Sequence, residues 1–312
     1  MIKFVLLLSF LIIISFVPVF ATSPKCDGIT DDTNTIQSMI NAKNATLPRG
    51  VCIITNTLYI GTGTNTTQST IHSLFLTGQG FEAGHDESSY YCGTGTCLLW
   101  KGPIGQNMIS VRGPINDITI SKIDLDGLNS ASSCIYSTHM MDSKFDQVRC
   151  QYVTKTDYVF AINASIPISG VNEGGCRNIF NQLMSDSPSN NLVNGIKMLQ
   201  APNQSMDYCR NQFNDLQIMY GGASGSYGIY MSPADNNYFM GGMIASPGVS
   251  GGCGVYLSYF SNENVFMGTA IPNGICGNPS IGDWFMPYPT IDSEPIPTIP
   301  HVHYMLYNGT IH

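Results

Sequence analysis

One phrase recurs through the second half of the chain and restricts the fold more than any other feature. NIFNQLM (178–184), NQFNDLQ (211–217), NYFMGGM (237–243) and NVFMGTA (264–270) each place an Asn two residues before a Phe, and SKFDQVR (143–149) fits without the Asn. Their starts lie 35, 33, 26 and 27 residues apart. Second short apolar phrases precede them: SCIYS, NGIKM, YGIYM and CGVYL, around Ile135, Ile196, Ile229 and Val255. Short strands returning at this interval describe a solenoid in which each repeat is one coil of three short parallel strands joined by turns. Alternating apolar residues then point inward. Phe145, Phe180, Phe213, Phe239 and Phe266 are expected to stack as an aromatic column in the core. Asn178, Asn211, Asn237 and Asn264 are expected to form a ladder at a turn, their amides hydrogen-bonding along the axis. A β-sandwich also has short strands, but it does not repeat a phrase in register.

Composition agrees with an all-β chain. Gly is abundant (32 residues), long helical periodicity is nearly absent and apolar runs are short. With 13 basic residues and a net charge of −8, the chain is a poor partner for nucleic acid or anionic membranes. At the start, Lys3 precedes FVLLLSFLIIISF, and a small-residue site ends at Ala21, which reads as a secretory signal peptide over residues 1–21. The alternative is a retained anchor, for which the run is shorter than the ~20 apolar residues that span a bilayer. Ten cysteines, all after that segment, fit an oxidising, extracellular compartment. Five N-x-S/T sequons, at Asn44, Asn65, Asn163, Asn203 and Asn308, fit a glycoprotein.

The stretch CDGITDDTNTIQSMINA, followed by ATLPRGVCIITNTLYI and SLFLTGQG, resembles the N-terminal part of the pectate lyase superfamily domain, the group that includes rhamnogalacturonase- and epimerase-like proteins. Asp27, Gly28, Asp31, Asp32, Thr33, Ile36, Ile40, Leu47, Pro48, Gly50, Leu76, Gly78 and Gly80 match its pattern, over about residues 26–80. The resemblance implies a single-stranded, right-handed parallel β-helix over residues 22–277, and residues 278–312 are left as a Pro-rich tail or cap. It implies action on polysaccharide without fixing the reaction. The residues themselves predict a capping helix over about 32–43, because Ile36, Met39 and Ile40 make one apolar face. Thr30, Asp31 and Asp32 precede it, and their side chains are expected to accept its free N–H groups.

The coil register also addresses the cysteines. Cys176 and Cys209 each sit two residues before a ladder Asn, and strands ~4.8 Å apart admit a disulfide between them. Cys92 and Cys97 can close a small loop, and Cys26–Cys52, Cys134–Cys150 and Cys253–Cys276 pair by proximity. Metal-ligand spacing is absent: there is no C-x-x-C, the histidines are scattered, and the HVH at 301–303 reads as incidental.

Chemistry on a solenoid sits in columns of equivalent residues. The position before the ladder Asn holds Asp142, Arg177, Arg210, Asn236 and Glu263, with Asp235 one residue earlier and Asp215 four residues after Asn211. Stacked Arg177 and Arg210 repel unless an anion lies between them, so three readings stand: solvated turn residues, a site for an acidic sugar, or an internal ion-pair network with Asp142, Asp235 or Glu263. Glycoside hydrolysis needs two carboxylates, and β-elimination on a uronate needs a base and a cation. Asp235 with Glu263, or Asp124 with Asp126, are the candidate catalytic pairs, and Arg177, Arg210, Asp142 and Asp215 the candidate substrate contacts. In IDLDG, Asp124 and Asp126 alternate with Ile123 and Leu125, so both are expected to face outward, and Asp126-Gly127 also reads as a strand-ending turn. The Asn-Thr-Asp, Gly-His-Gly and Arg-Ile-Lys phrases of the polygalacturonase-type branch are absent. The expectation is therefore a secreted glycoside hydrolase or polysaccharide lyase, or a non-catalytic glycan-binding or surface-structural β-helix. No cofactor is expected for a hydrolase, and a lyase is expected to use either Ca²⁺ or an Arg as its cation.

Overall fold

The computed structural model describes residues 23–63, 72–80, 95–162, 174–187, 193–200, 208–221, 225–246, 252–258, 261, 263–277, 283–286 and 303–304. All strand pairs among them are parallel and fall mainly into two large sheets, one of 13 strands and one of eight. The chain alternates between the sheets: Ile179–Asp186 lies in the first, Asn194–Gln200 in the second, Gln212–Met219 in the first again, then Tyr227–Ser232 in the second. That winding is a parallel β-helix.

Two columns of positive-φ residues give the coils their shape. Lys122, Gln147, Gln182 and Asp215 have φ of 56°, 58°, 48° and 53°, and Gly241 and Gly268 continue the column. Each bends a first-sheet strand in its middle, so a coil has three faces rather than two. The second column is Asp142, Arg177, Arg210, Asn236 and Glu263, with φ between 47° and 62°. These are the residues before the ladder position. The left-handed region is costly for most residues but tolerated best by Asn, Asp and Gly, and here one corner geometry is imposed on every coil.

The ladder follows directly from that corner. Asn178 Nδ2 donates to Asn211 Oδ1 at 3.0 Å, Asn211 to Asn237 at 2.9 Å, and Asn237 to Asn264 at 3.0 Å. Each Oδ1 also accepts the backbone N–H of the preceding member, and each Nδ2 also donates to a backbone carbonyl (Met140, Gly175, Tyr208 or Ala234). Ser143 occupies the ladder position in the earlier coil, and its N–H donates to Asn178. Asp283 closes the other end, accepting both the N–H and the Nδ2 of Asn264 at 2.9 and 3.1 Å. All four asparagines are fully buried, and burial without partners would cost about 1–3 kcal/mol for each polar group.

Two residues on, the phenylalanines stack. Phe180–Phe213, Phe213–Phe239 and Phe239–Phe266 have ring centroids 4.5, 4.6 and 4.3 Å apart and nearly parallel planes, and Phe145 joins at 5.2 Å with its ring tilted. On the second sheet, the glycine of each apolar phrase has a packing reason. A Cβ on Gly195 or Gly228 would lie 2.3 or 2.2 Å from an Ile methyl of the first sheet, so the opposite wall leaves no room for a side chain.

The helix spans Thr33–Asn41, and its buried Ile36 and Ile40 join the core. The acidic cluster before it behaves differently from expectation. Asp32 is the N-cap residue but makes no capping bond. Its carboxylate instead accepts the N–H groups of Lys25 and Cys26 at 2.8 and 2.9 Å. Asp27 closes its own turn on Ile29 and Thr30. Asp31 alone serves the helix start, accepting from Thr33 N at 3.0 Å. The carboxylates fold the entering chain back on itself because its N–H groups lie nearer than those of the helix.

Four disulfides join pairs of described residues: Cys26–Cys52, Cys134–Cys150, Cys176–Cys209 and Cys253–Cys276. Cys97 is disulfide-bonded as well, and its expected partner Cys92 lies outside the described residues. The sheet also continues beyond Gly277: Trp284–Met286 pairs with Val265–Met267, and His303–Tyr304 pairs with Trp284 and Phe285. Of the sequons, Asn44 is exposed in the strand Asn44–Thr46, and Asn65, Asn163, Asn203 and Asn308 lie outside the described residues.

Among the buried carboxylates, Asp157 has the largest consequence for stability. Asp157 is fully buried and accepts hydrogen bonds from Ser185 Oγ and, at 2.7 Å, from Ser187 Oγ. Burial pushes its pKa up to about 8, and nearby Asp186 adds to the rise. Unfolding would return it to the ordinary value near ~3.9. Between those values the unfolded chain holds fewer protons, so this group costs stability as pH rises from about 4 to 8. Asp157→Asn should therefore gain melting temperature relative to the parent across that window and hold a constant difference above it, as thermal unfolding in a pH series will show. Asn211→Ala should lower stability by about 2 kcal/mol or more, because it removes the acceptor shared by the N–H and Nδ2 of Asn178 and the side-chain donor to the Gly175 carbonyl, while the backbone N–H of residue 211 still serves Asn237. The exposed Gln182→Ala should stay within about 0.5 kcal/mol in the same denaturant titration.

Candidate active site

The register aligns three strands of the first sheet beyond their bend. Asp124 lies beside Arg149, and Arg149 beside Met184; Asp126 lies beside Gln151, and Gln151 beside Asp186. Asp124-x-Asp126, Arg149-x-Gln151 and Met184-x-Asp186 thus form two adjacent columns on three successive coils. The alternation with Ile123 and Leu125 holds, but both faces of this strand are covered. Asp124 is 1% exposed and Asp126 is 0% exposed, against the expectation that they reach solvent. The outward expectation assumed a bare outer sheet face, whereas every residue from Ile123 to Asp126 is buried here.

Two carboxylates so placed require partners. Asp126 accepts the N–H of Leu128 at 2.8 Å and Nε2 of Gln151 at 3.1 Å. Those bonds and the positive charge of Arg149 favour its ionised form, but burial outweighs them and raises its pKa to about 6. Arg149 Nη2 lies 2.8 Å from Asp186 Oδ2, and each side chain is 13% exposed. The cluster therefore contains an acid that holds its proton well above the usual carboxylate range, beside an ion-paired carboxylate near the surface. Asp126 and Asp186 are two rungs apart, so their backbones are ~9.6 Å apart at the usual strand spacing.

Sequence reasoning chose Asp124 and Asp126 but missed Arg149, Gln151 and Asp186. The signal was available. Counting from Ile120, Phe145 and Phe180, which share a register position, the fourth and sixth residues are Asp and Asp, Arg and Gln, and Met and Asp.

The remaining candidates are not drawn into this cluster. Arg177 forks onto Asp142 of the preceding coil, Nε to Oδ1 at 2.7 Å and Nη2 to Oδ2 at 3.0 Å. This is the internal ion pair among the three readings, and both side chains stay about two-fifths exposed (39% and 43%). Arg210 is exposed at the next corner. Asp215 is exposed at the other corner column and accepts Gln182 Nε2 at 3.4 Å. Asp235 is half-buried in Ala234–Asp235, which pairs with Tyr208–Cys209, whereas Glu263 is exposed at a corner in the following coil. The two occupy different environments.

A Ca²⁺ ion prefers six to eight oxygen ligands. The carboxylates of the cluster are taken instead, Asp186 by the Arg149 guanidinium and Asp126 by the N–H of Leu128 and Nε2 of Gln151, so the donor set does not fit that ion. Among the described residues, the one group of potential metal ligands is Cys26, Asp32 and Cys52. Both of its sulfurs form a disulfide, and its carboxylate is taken by backbone N–H groups.

No family profile and no curated protein matches the chain. Among solved structures, it is similar to the ORF18 protein of Geobacillus virus E2 at 15% identity and TM-score 0.42, covering 82% of this chain and 60% of that one. It is similar to the catalytic domain of a GH87 alpha-1,3-glucanase in complex with nigerose at 9% identity and TM-score 0.47, covering 89% and 52%. It is also similar to the A-module of the Azotobacter vinelandii mannuronan C-5 epimerase AlgE6 at 12% identity and TM-score 0.31, covering 83% and 87%. The chain thus spans 60% and 52% of the lengths of the first two. Likenesses this distant assign no chemistry to it.

Proposed function

We propose that this chain is a secreted, glycosylated parallel β-helix of the pectate lyase superfamily type, right-handed and closed at its N-terminal end by the Thr33–Asn41 helix, that hydrolyses polysaccharide. The observation that carries the reading is Asp126, a buried carboxylic acid with a pKa of about 6, two coils from the ion-paired Asp186. In this reading Asp126 donates its proton to the leaving glycosidic oxygen. Asp186 takes a proton from water as that water attacks the anomeric carbon, and the C–O bond to the leaving group breaks. Arg149 holds Asp186 in place. Because Asp126 is fully buried, the reading also requires its cover to open before a sugar can enter.

Four disulfides support an extracellular setting. Among the described residues no helix is long and apolar enough to cross a membrane. The alternative, a glycan-binding β-helix without catalysis, is favoured by the closed state of Asp126.

The test is turnover on a panel of neutral and acidic polysaccharides, read both as new reducing ends and as unsaturated-uronate absorbance. Reducing ends without that absorbance are expected. The rate should fall about tenfold per pH unit above pH 6, since the acid must be protonated. Asp126→Asn should remove at least about 100-fold of it. Glycan binding with no turnover on any member would establish the non-catalytic alternative instead.

A further inference from the structure

The second sheet carries an outward column unrelated to the acidic cluster. Lys197, Tyr230 and Tyr256 are register partners on three successive coils. The rings of Tyr230 and Tyr256 stack at 4.9 Å with planes 2° apart, and Tyr227 packs against both at 5.5 and 5.0 Å. The Lys197 ammonium lies 5.8 Å from the centre of the Tyr230 ring. All four residues are half-buried.

Two features of this group lack a structural explanation. Lys197 has no carboxylate within ion-pair distance among the described residues, in a chain with 21 acidic residues against 13 basic ones. Burial is the sole influence on its pKa and lowers it, with no opposing charge to restore it. In addition, none of the hydroxyls of Tyr227, Tyr230 and Tyr256 hydrogen-bonds to a described residue, although the three rings pack against one another. Elsewhere the chain pairs its half-buried cations, as Arg149 with Asp186. A desolvated ammonium without an anion is stabilised when one arrives. A ring cluster with free hydroxyls at its edge offers an apolar surface and hydrogen-bonding groups together.

We propose that Lys197, Tyr227, Tyr230 and Tyr256 form a binding site for a carboxylate-bearing sugar, the carboxylate seated on the Lys197 ammonium and the sugar ring packed against the tyrosines. Charge complementarity selects the ligand class: a neutral sugar leaves the ammonium as it is, and an apolar partner would bury it further. The site stands on a different sheet from Arg149 and does not depend on catalysis there.

The experiment is titration calorimetry in the Asp126→Asn background, so that turnover cannot consume the probe. The probes are a galacturonate trimer and the neutral galactose trimer. The acidic trimer should bind with an affinity that falls with added salt, and the neutral trimer at least tenfold more weakly. Lys197→Met should weaken the acidic trimer at least tenfold and leave the neutral one unchanged, while Lys197→Arg retains binding. Tyr256→Ala should weaken both trimers. Melting temperatures of all variants report whether they fold. Equal binding of the acidic trimer by the parent and Lys197→Met, or by neither parent nor variants, overturns the site. Binding through Lys197 by a protein that, with Asp126 intact, turns over no member of the polysaccharide panel would sink the hydrolase reading alone.

Discussion

The distance between neighbouring strands governs this molecule. At ~4.8 Å per rung, a side chain can hydrogen-bond to its own equivalent in the next coil, and the asparagine column does so three times in succession at 2.9–3.0 Å. Each member spends both amide protons on neighbours, and Asn211, Asn237 and Asn264 each accept twice. The column can therefore be fully buried without leaving a polar group stranded. Its amides all point one way, NH₂ ends toward the C-terminal coils. Asp283 meets the last of them, so a carboxylate oxygen that accepts finishes a run of donors. Ser143 begins the run with a backbone N–H, where no further amide is needed.

The same spacing sorts the rest of the core. A flat ring at each rung gives a stack at van der Waals distance, which is why Phe recurs and a branched residue does not replace it in the later coils. Such pairs contribute about 0.5–1.5 kcal/mol beyond their burial. Corners obey the rule as well. Among the left-handed corner residues, Asp142 and Arg177 of successive coils carry opposite charge and form a bidentate pair. Interior polarity is handled by protonation where no amide is available, and Asp157 between two serines is the example.

The solenoid was legible because its strongest constraint is written as a repeated phrase. The ladder and ring columns could be assigned from Asn and Phe alone, and the Cys176–Cys209 bond follows from the same offset. The acidic opening segment was less legible. Its helix is present, but which N–H groups its carboxylates take depends on how the chain enters the first coil, and Lys25 and Cys26 are not marked as donors in the sequence. The candidate site was half legible. Asp124 and Asp126 stood out as a pair, but strand alternation says which side a residue faces and not whether that side is covered. Of the two residues that give the pair its character, Arg149 ends the phrase SKFDQVR and Gln151 lies two residues beyond it, so neither falls in the corner columns from which the candidates were drawn.

That last point separates structure from chemistry in a solenoid. A column that repeats one residue type satisfies itself and has nothing left to offer a ligand, as with Asn178 through Asn264. A column whose members differ must balance unlike groups against one another. From Asp126 through Gln151 and Asp186 to Met219 and Ala245, one register position passes from acid to amide to acid and then to apolar side chains. Along the neighbouring column, Asp124 and Arg149 give way to Met184, Gln217 and Met243. Charge is confined to the early coils of both columns, where burial raises the pKa of Asp126 and an arginine fixes a second carboxylate. The backbone is nearly the same at every rung, so only the break in repetition distinguishes these coils from the others. The Lys197, Tyr230 and Tyr256 column of the second sheet breaks the pattern in the same way, with one cation set at the end of an aromatic run.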